Sequence, residues 1–162
     1  MKKVGIFGGT FNPVHAGHVK AALGFIEAAG LDRLLVIPDK IPPHKIIVGE
    51  DHPEIRFHMT KLAFDEVNAE GKITVSDMEI RREGKSFSYY TMKELTEAGV
   101  GELYLYCGTD MLLTSTNGFD SRIFFPCVRL RTREERRNPI LFVKKWRRRS
   151  DSFAKPTVPV FS

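Results

Sequence analysis

Val4-Gly5-Ile6-Phe7-Gly8-Gly9-Thr10-Phe11-Asn12-Pro13-Val14-His15-Ala16-Gly17-His18 is the stretch on which the reading of this chain turns. A short apolar run leads into paired glycines, a proline and two histidines three residues apart. That order predicts a buried strand, a tight turn and the start of an amphipathic helix. Adjacent glycines let backbone N–H groups approach a ligand with no Cβ in the way. The helix N-terminus points its unpaired N–H groups and its positive dipole end at the same place. Two imidazoles there add hydrogen-bond donors. The physical reading is a site for nucleotide phosphates. Paired glycines alone would not support it, since many strand-to-helix turns carry them.

Outward from this stretch, strands and helices alternate. A helix is expected from His18 to about Ala29, with Ala21, Ala22, Phe25 and Ile26 on its apolar side and Gly30 as its C-cap. Residues 33–38 form a continuous apolar run of the kind a buried parallel strand shows. A loop with two prolines, Pro42 and Pro43, follows. Asp51-His52-Pro53-Glu54 then has the spacing of a capping box, with Asp51 as N-cap and Pro53 in the first turn. Ile55, Met59, Leu62, Ala63 and Val67 carry the helical period, and Gly71 breaks it. Residues 72–76 predict a third strand, extended through Asp77, Met78 and Glu79, before a polar turn at 81–85. A helix opens in Ser86-Phe87-Ser88-Tyr89-Tyr90-Thr91 and runs to Ala98. Residues 103–107 predict a fourth strand, which ends in Gly108-Thr109-Asp110. The pattern is that of a Rossmann-like, doubly wound parallel α/β sheet. Ligands of such sheets bind beyond the carboxyl ends of the strands, where Gly8-Gly9, Pro38 to Lys45, Asp77 to Ser88 and Gly108 to Asp110 all fall.

Bulk properties narrow the class. The 162 residues suit one domain, and 42% hydrophobic with 28% charged residues fits a soluble globular chain. No run approaches the ~20 apolar residues of a membrane span. The opening residues lead straight into a strand, so no secretory signal is expected. Cys107 and Cys127 form neither a disulfide framework nor a metal-spaced set, and a cytoplasmic location is expected. The net charge of +5 is uneven: residues 129–149 hold ten of the 25 Lys and Arg but only two of the 20 Asp and Glu. The body is therefore slightly acidic and the basic end is read as a solvated tail. A nucleic-acid partner is not expected, although a basic tail can bind one without sequence preference. An α/β domain over residues 1–143 and a basic, proline-containing tail over 144–162 are expected. Homo-oligomerisation is left open.

The opening stretch, with its Gly-Gly turn and His-x-Gly-His, resembles the signature of the cytidylyltransferase-like nucleotidyltransferases. Its longer form, Gly-Gly-Thr-Phe-Asn-Pro-Val-His, is similar to that of the bacterial nicotinate mononucleotide adenylyltransferases. The resemblance implies adenylyl transfer from ATP to nicotinate mononucleotide, giving deamido-NAD and pyrophosphate in NAD biosynthesis, with Mg²⁺ arriving on ATP. It implies that His15 and His18 contact the triphosphate, with His18 nearest the α-phosphate. Gly8, Gly9 and Thr10 would line the nucleotide site through their backbone. Pro42-Pro43-His44-Lys45 is similar to the family's Pro-Pro-His-Lys loop, in which Lys45 would reach a phosphate. Ser86-Phe87-Ser88-Tyr89-Tyr90-Thr91 is similar to a Ser-[Tyr/Phe]-Thr-x-x-Thr segment, with Ser88 where a threonine helps hold the pyridine carboxylate. Phe11, Lys45, Phe87 and Ser88 are thereby implied at the pyridine nucleotide. Gly108-Thr109-Asp110 resembles a Gly-x-Asp that faces ATP, which implicates Gly108 and Asp110. The catalytic set is His15, His18 and Lys45.

The chemistry agrees with that kit. A phosphate monoester has a second pKa near ~6 and is already a dianion near neutrality, so the attacking group needs no general base. Positioning and charge stabilisation suffice. The sequence holds no nucleophile elbow, Walker lysine or zinc spacing. The His15/His18 pair has no third ligand nearby, and no resident metal is expected.

The resemblance runs well to about residue 113. The family's Leu-Pro-x-Trp segment is missing from Leu113 to Phe119, and its closing Ser-Ser-Thr-x-[Ile/Leu]-Arg motif is not found in the Arg-rich, Pro-rich end. This points to a C-terminal segment altered by truncation or a shifted frame, and to impaired ATP binding. Ile140 to Val143 retains the look of a strand. The competing readings are a phosphopantetheine-type adenylyltransferase and a nucleotide-binding remnant without catalysis.

Overall fold

Side-chain alternation in the central strands decides which helix covers which face. The structure, a computed structural model, describes residues 1–42, 52–107, 127–130 and 141–145. In chain order these form β1 (Lys3–Gly9), α1 (Ala16–Ala29), β2 (Arg33–Pro38), α2 (Pro53–Asp65), β3 (Ile73–Val75), α3 (Met78–Arg81), α4 (Ser88–Glu97), β4 (Glu102–Cys107), β5 (Cys127–Leu130) and β6 (Leu141–Lys145). Among the described residues the sheet runs β3-β2-β1-β4-β6-β5. β1 pairs in parallel with both β2 and β4, and β2 with β3.

Successive residues of a strand face opposite ways. Val4 and Ile6 therefore join Leu35, Ile37, Leu103 and Leu105 beneath Met92 and Leu95 of α4. Phe7 joins Leu34, Val36 and Ile73 on the other face, beneath Ala22 and Phe25 of α1 and Phe64 of α2. Helices thus cover both faces of the parallel part, as the doubly wound reading expects. Gly5 lies under α1, where a Cβ would collide with Leu31 and press on Leu34 and Phe25. That close approach is what glycine provides there.

The four strands expected from the sequence pair in parallel, and the sheet continues at one edge into two antiparallel strands. β6 runs antiparallel to β4, and β5 antiparallel to β6. Only residues 131–140 join β5 to β6, too few for a parallel crossover, so the chain must return antiparallel. β6 also continues to Lys145, past residue 143, and residues 146–162 lie outside the described residues.

Two helix starts differ from expectation, and one short helix is added. α1 begins at Ala16, two residues before His18, with His15 in the N-cap position. Its end is as expected: Gly30 takes the left-handed conformation (φ 59°, ψ 50°), and the Leu31 N–H returns to the Ile26 carbonyl at 3.0 Å. α2 begins at Pro53 with His52 in the cap position and no side-chain cap bond, while Asp51 lies outside the described residues. Met78 to Arg81, expected as strand extension and turn, close a single helical turn, α3. α2 is also rotated relative to its apolar stripe. Ile55, Met59 and Leu62 are exposed, whereas Arg56, Thr60 and Phe64 are buried. Phe64 reaches the Phe7 ring at 6.5 Å, and Thr60 returns its hydroxyl to the Arg56 carbonyl at 2.7 Å. The polar members of that face are satisfied locally or by the site described next.

Candidate active site at the strand carboxyl ends

β1 and β2 leave the sheet side by side, with Gly8 opposite Ile37 and Gly9 opposite Pro38. The Asp39 N–H then donates to the Gly9 carbonyl at 3.0 Å, so the two exits stay tied one residue beyond the ladder. Gly8 is exposed and Gly9 partly so. A Cβ on Gly9 would lie 3.1–3.4 Å from the Phe11 ring. Phe11 itself has φ +49°, a conformation that costs a non-glycine residue about 1–2 kcal/mol. Its ring is 2% exposed and sits 5.8 Å from Phe7 and 5.0 Å, edge-on, from His18. Burial of that ring offsets the backbone cost, and the ring props the turn from beneath. Phe11 can therefore offer a ligand its backbone, while its side chain belongs to the core.

The two histidines are built into the helix start. His15 Nδ1 accepts from the Gly17 N–H at 3.1 Å, and His18 Nδ1 accepts from the His15 N–H at 3.2 Å. This is a reciprocal cap made of imidazoles rather than of the usual hydroxyl and carboxylate. A nitrogen that accepts carries no proton, so the network assigns the proton of each neutral ring to Nε2. The rings lie 3.8 Å apart. Gly17 explains the spelling of the motif: a Cβ there would stand 2.9 Å from His15 Cε1. His15 is exposed and His18 half-buried.

Sequence reasoning missed the groups behind this turn. Arg56, 4% exposed, donates from Nη1 to the Thr10 carbonyl at 2.7 Å and to the Asp39 carbonyl at 2.8 Å. Nη2 donates to the Lys40 carbonyl at 3.2 Å, and Asp39 Oδ1 lies 3.4 Å from Nη1. Asp39 Oδ2 accepts from the Thr10 hydroxyl at 2.9 Å. The one sequence signal for its burial is its place at i, i+4, i+8 with Thr60 and Phe64.

The loop after β2 is tied in turn to the segment that opens α4. Ser86 Oγ accepts from the Lys40 N–H, and the Ser86 N–H donates to the Ile41 carbonyl, both at 2.9 Å. Phe87 occupies the N-cap position of α4 without a side-chain cap bond, so Ser88 is the first helical residue and not its cap. Phe87 and Ser88 are both half-buried. Beneath them Glu79 is 7% exposed and accepts from the Thr91 hydroxyl. Arg82 donates to Thr91 Oγ1 at 3.0 Å and to Glu94 at 2.6 Å. Burial raises the Glu79 carboxyl above its ordinary value, with a smaller upward push from the Asp39 charge; the Thr91 and Ser86 hydroxyls and Arg82 oppose it.

The structure therefore gathers Gly8, Gly9, Thr10, Phe11, His15 and His18 on one turn and ties it, through Asp39 and Lys40, to the segment bearing Phe87 and Ser88. Lys45, Gly108 and Asp110 lie outside the described residues. No helix among the described residues is long and apolar enough to cross a membrane.

Comparison with known proteins agrees with this geometry. Residues 6–147 match the family model described as cytidylyltransferase-like. The probable nicotinate-nucleotide adenylyltransferase of Geobacter sulfurreducens is 40% identical over 129 residues, covering 79% of this chain and 58% of the relative. That of Clostridium novyi is 40% identical over 114 residues, covering 70% and 56%. The chain thus spans little more than half the length of these curated relatives. Among solved structures, Plasmodium falciparum nicotinic acid mononucleotide adenylyltransferase complexed with NaAD superposes with a TM-score of 0.61 at 18% identity, over 72% of this chain and 57% of that one. The same enzyme complexed with APC gives 0.56 at 17% identity, over 70% and 54%. These likenesses speak for the fold. With the family match spanning the sheet from β1 to β6, and the His-x-Gly-His turn at its carboxyl edge, the chain belongs to the cytidylyltransferase-like family.

Proposed function

We propose that the chain transfers the adenylyl group of ATP to nicotinate mononucleotide, giving deamido-NAD and pyrophosphate. The observation that carries this reading is the imidazole cap of α1, in which His15 and His18 both accept backbone N–H groups at Nδ1 directly after the glycine turn. Two imidazoles, a helix N-terminus and an exposed glycine turn make a site for phosphate oxygens. The names of the curated relatives support the choice of pyridine nucleotide.

In the reaction an oxygen of the mononucleotide phosphate attacks the α-phosphorus of ATP. The bond from that phosphorus to the bridging oxygen breaks, and the electron pair leaves on pyrophosphate. The incoming phosphate is a dianion near neutrality and loses no proton in the step. His18 donates from Nε2 to the α-phosphate as charge spreads over its oxygens, and His15 donates to the triphosphate beyond it. The backbone around Gly8 to Thr10 meets the nucleotide, with Gly108 and Asp110 on the ATP side and Lys45 as a cation for phosphate. The Phe11 backbone, Phe87 and Ser88 serve the pyridine nucleotide. Mg²⁺ would arrive with ATP and, when bound, would offset negative charge on the pyrophosphate oxygens. We assign the reaction to the cytoplasm, in keeping with the two cysteines and no disulfide framework.

The test is pyrophosphate release by the 162-residue chain, with ATP and one of nicotinate mononucleotide, nicotinamide mononucleotide or phosphopantetheine. Release that requires nicotinate mononucleotide and yields deamido-NAD supports the proposal. Release with phosphopantetheine instead, or with no acceptor at all, removes it.

A further inference from the structure

We propose that Arg56, with Asp39, is a positioning residue that locks the phosphate turn after β1 to the loop after β2, so that the two halves of the site hold one relative geometry. The proposal rests on the adenylyl-transfer reading for its kinetic consequence and on contact geometry for everything else. The guanidinium is almost fully buried and bonds to three backbone carbonyls, those of Thr10, Asp39 and Lys40. Thr10 lies on one loop, and Asp39 and Lys40 lie on the other. Asp39 crosses the same gap in the opposite sense, from the β2 loop to the Thr10 hydroxyl. A bond to a carbonyl fixes the plane of its peptide, and in a trans peptide the N–H then points the opposite way. The Thr10–Phe11 and Lys40–Ile41 peptides are thereby oriented with their N–H groups away from Arg56.

Chemistry explains the residue type. An apolar side chain could fill the buried position but would strand the carbonyls. Lysine is a point charge and cannot span three acceptors as a planar fork does. A buried guanidinium needs a counter-charge, and Asp39 supplies it. The Phe11 backbone, held at φ +49°, is the strained point of this turn, which the buried Phe11 ring holds from one side and the Arg56 bonds at Thr10 from the other. Lys40 then carries the constraint to Ser86 and the start of α4.

The test uses Arg56→Gln, Arg56→Lys and Asp39→Asn in the full chain. Each is assayed below its own melting transition, with kcat expressed per folded molecule. A displacement of about 1 Å at reacting groups costs roughly 100-fold in rate. Arg56→Gln is therefore expected to lose about 100-fold in kcat, with KM for either substrate moving less than about threefold. Arg56→Lys is expected to recover about tenfold of that loss. A role in stability alone would lower the folded fraction and leave kcat per folded molecule unchanged; a folded Arg56→Gln within threefold of wild-type kcat overturns the proposal. Should the Gln variant not fold, Asp39→Asn and Arg56→Lys are read by the same criterion. Amide hydrogen exchange tests the lock without turnover. The Asp39 and Lys40 amides, bonded to the Gly9 carbonyl and Ser86 Oγ, are expected to exchange at least about tenfold faster in Arg56→Lys while Val4 and Ile6 keep wild-type rates. Unchanged exchange at Asp39 and Lys40 overturns the lock. An inactive wild-type chain with altered exchange removes the reaction and keeps the lock.

Discussion

The imidazoles of His15 and His18 lie face to face, with ring centroids 3.8 Å apart and planes inclined by 32°. Each ring holds a backbone N–H on Nδ1. The pair thus caps the helix and fixes both rings with one set of bonds. Orientation and tautomer need no ligand to establish them, which lowers the reorganisation left for the moment of reaction.

That arrangement requires the glycine between the rings. A Cβ at residue 17 would stand 2.9–3.0 Å from the His15 ring. Gly17→Ala should move His15 without harming the helix, since alanine is favoured over glycine in a helix by about 1 kcal/mol. The expected result is a melting temperature equal to or above that of wild type, with kcat reduced about tenfold or more. Turnover unchanged in a crystal-clear folded variant would mean that the ring position is immaterial.

Removing the rings separates cap from catalyst. His15→Ala loses the Nδ1 acceptor at the N-cap and should cost about 1 kcal/mol of stability. His18→Ala removes the donor assigned to the α-phosphate and should lower kcat by about 100-fold or more. Because each ring orders the other, the double variant should lose less activity than the product of the single losses. Denaturant melts and steady-state rates on the four proteins complete the cycle, and a strictly multiplicative result would refute the coupling.

What the sequence made legible follows from period and punctuation. Val4 to Phe7, residues 33–38 and residues 103–107 are apolar runs between glycines and helical segments, and they became β1, β2 and β4. Gly30 announced its own left-handed cap. The histidines stood out because two of them flank a glycine directly after a Gly-Gly turn. What stayed hidden is tertiary. A continuous apolar strand does not say which residue faces which helix. The burial of Arg56 and Glu79 is hard to read in the sequence, because the partners that allow it are distant in sequence: Thr10 and Asp39 for one, Thr91 for the other. Four residues are too few for α3 to show a period. The turn of the chain into antiparallel β6 depends on connection length rather than on strand composition.

α2 makes the distinction measurable. Its apolar residue Leu62 is 73% exposed, while Phe64, two positions on, is 1% exposed and packs on Phe7. Phe64→Ala should destabilise the fold by about 3–5 kcal/mol. Leu62→Glu should change stability by no more than about 0.5 kcal/mol. Urea midpoints of the two variants decide the facing of the helix: a reversed order would show that the Ile55–Met59–Leu62 stripe is buried in solution.

Glu79 offers a pH-dependent test of the layer beneath α4. Its carboxyl is raised above the ordinary 4.5, first by burial and then by the Asp39 charge. A raised folded-state value means that the native chain binds this proton more tightly than the unfolded chain does. The stabilising contribution is therefore complete below the unfolded value and is lost as pH rises through the folded one. Glu79→Gln keeps the shape and an acceptor for the Thr91 hydroxyl but has no charge to bury. The difference in melting temperature, variant minus wild type, should grow as pH increases above 4.5 and then level off once the wild-type carboxyl is ionised. Groups that titrate alike in both proteins cancel in that difference. A difference that stays flat from pH ~4 to ~8 would show that the Thr91, Ser86 and Arg82 interactions compensate fully for the desolvation, so that Glu79 carries its charge in the fold without cost.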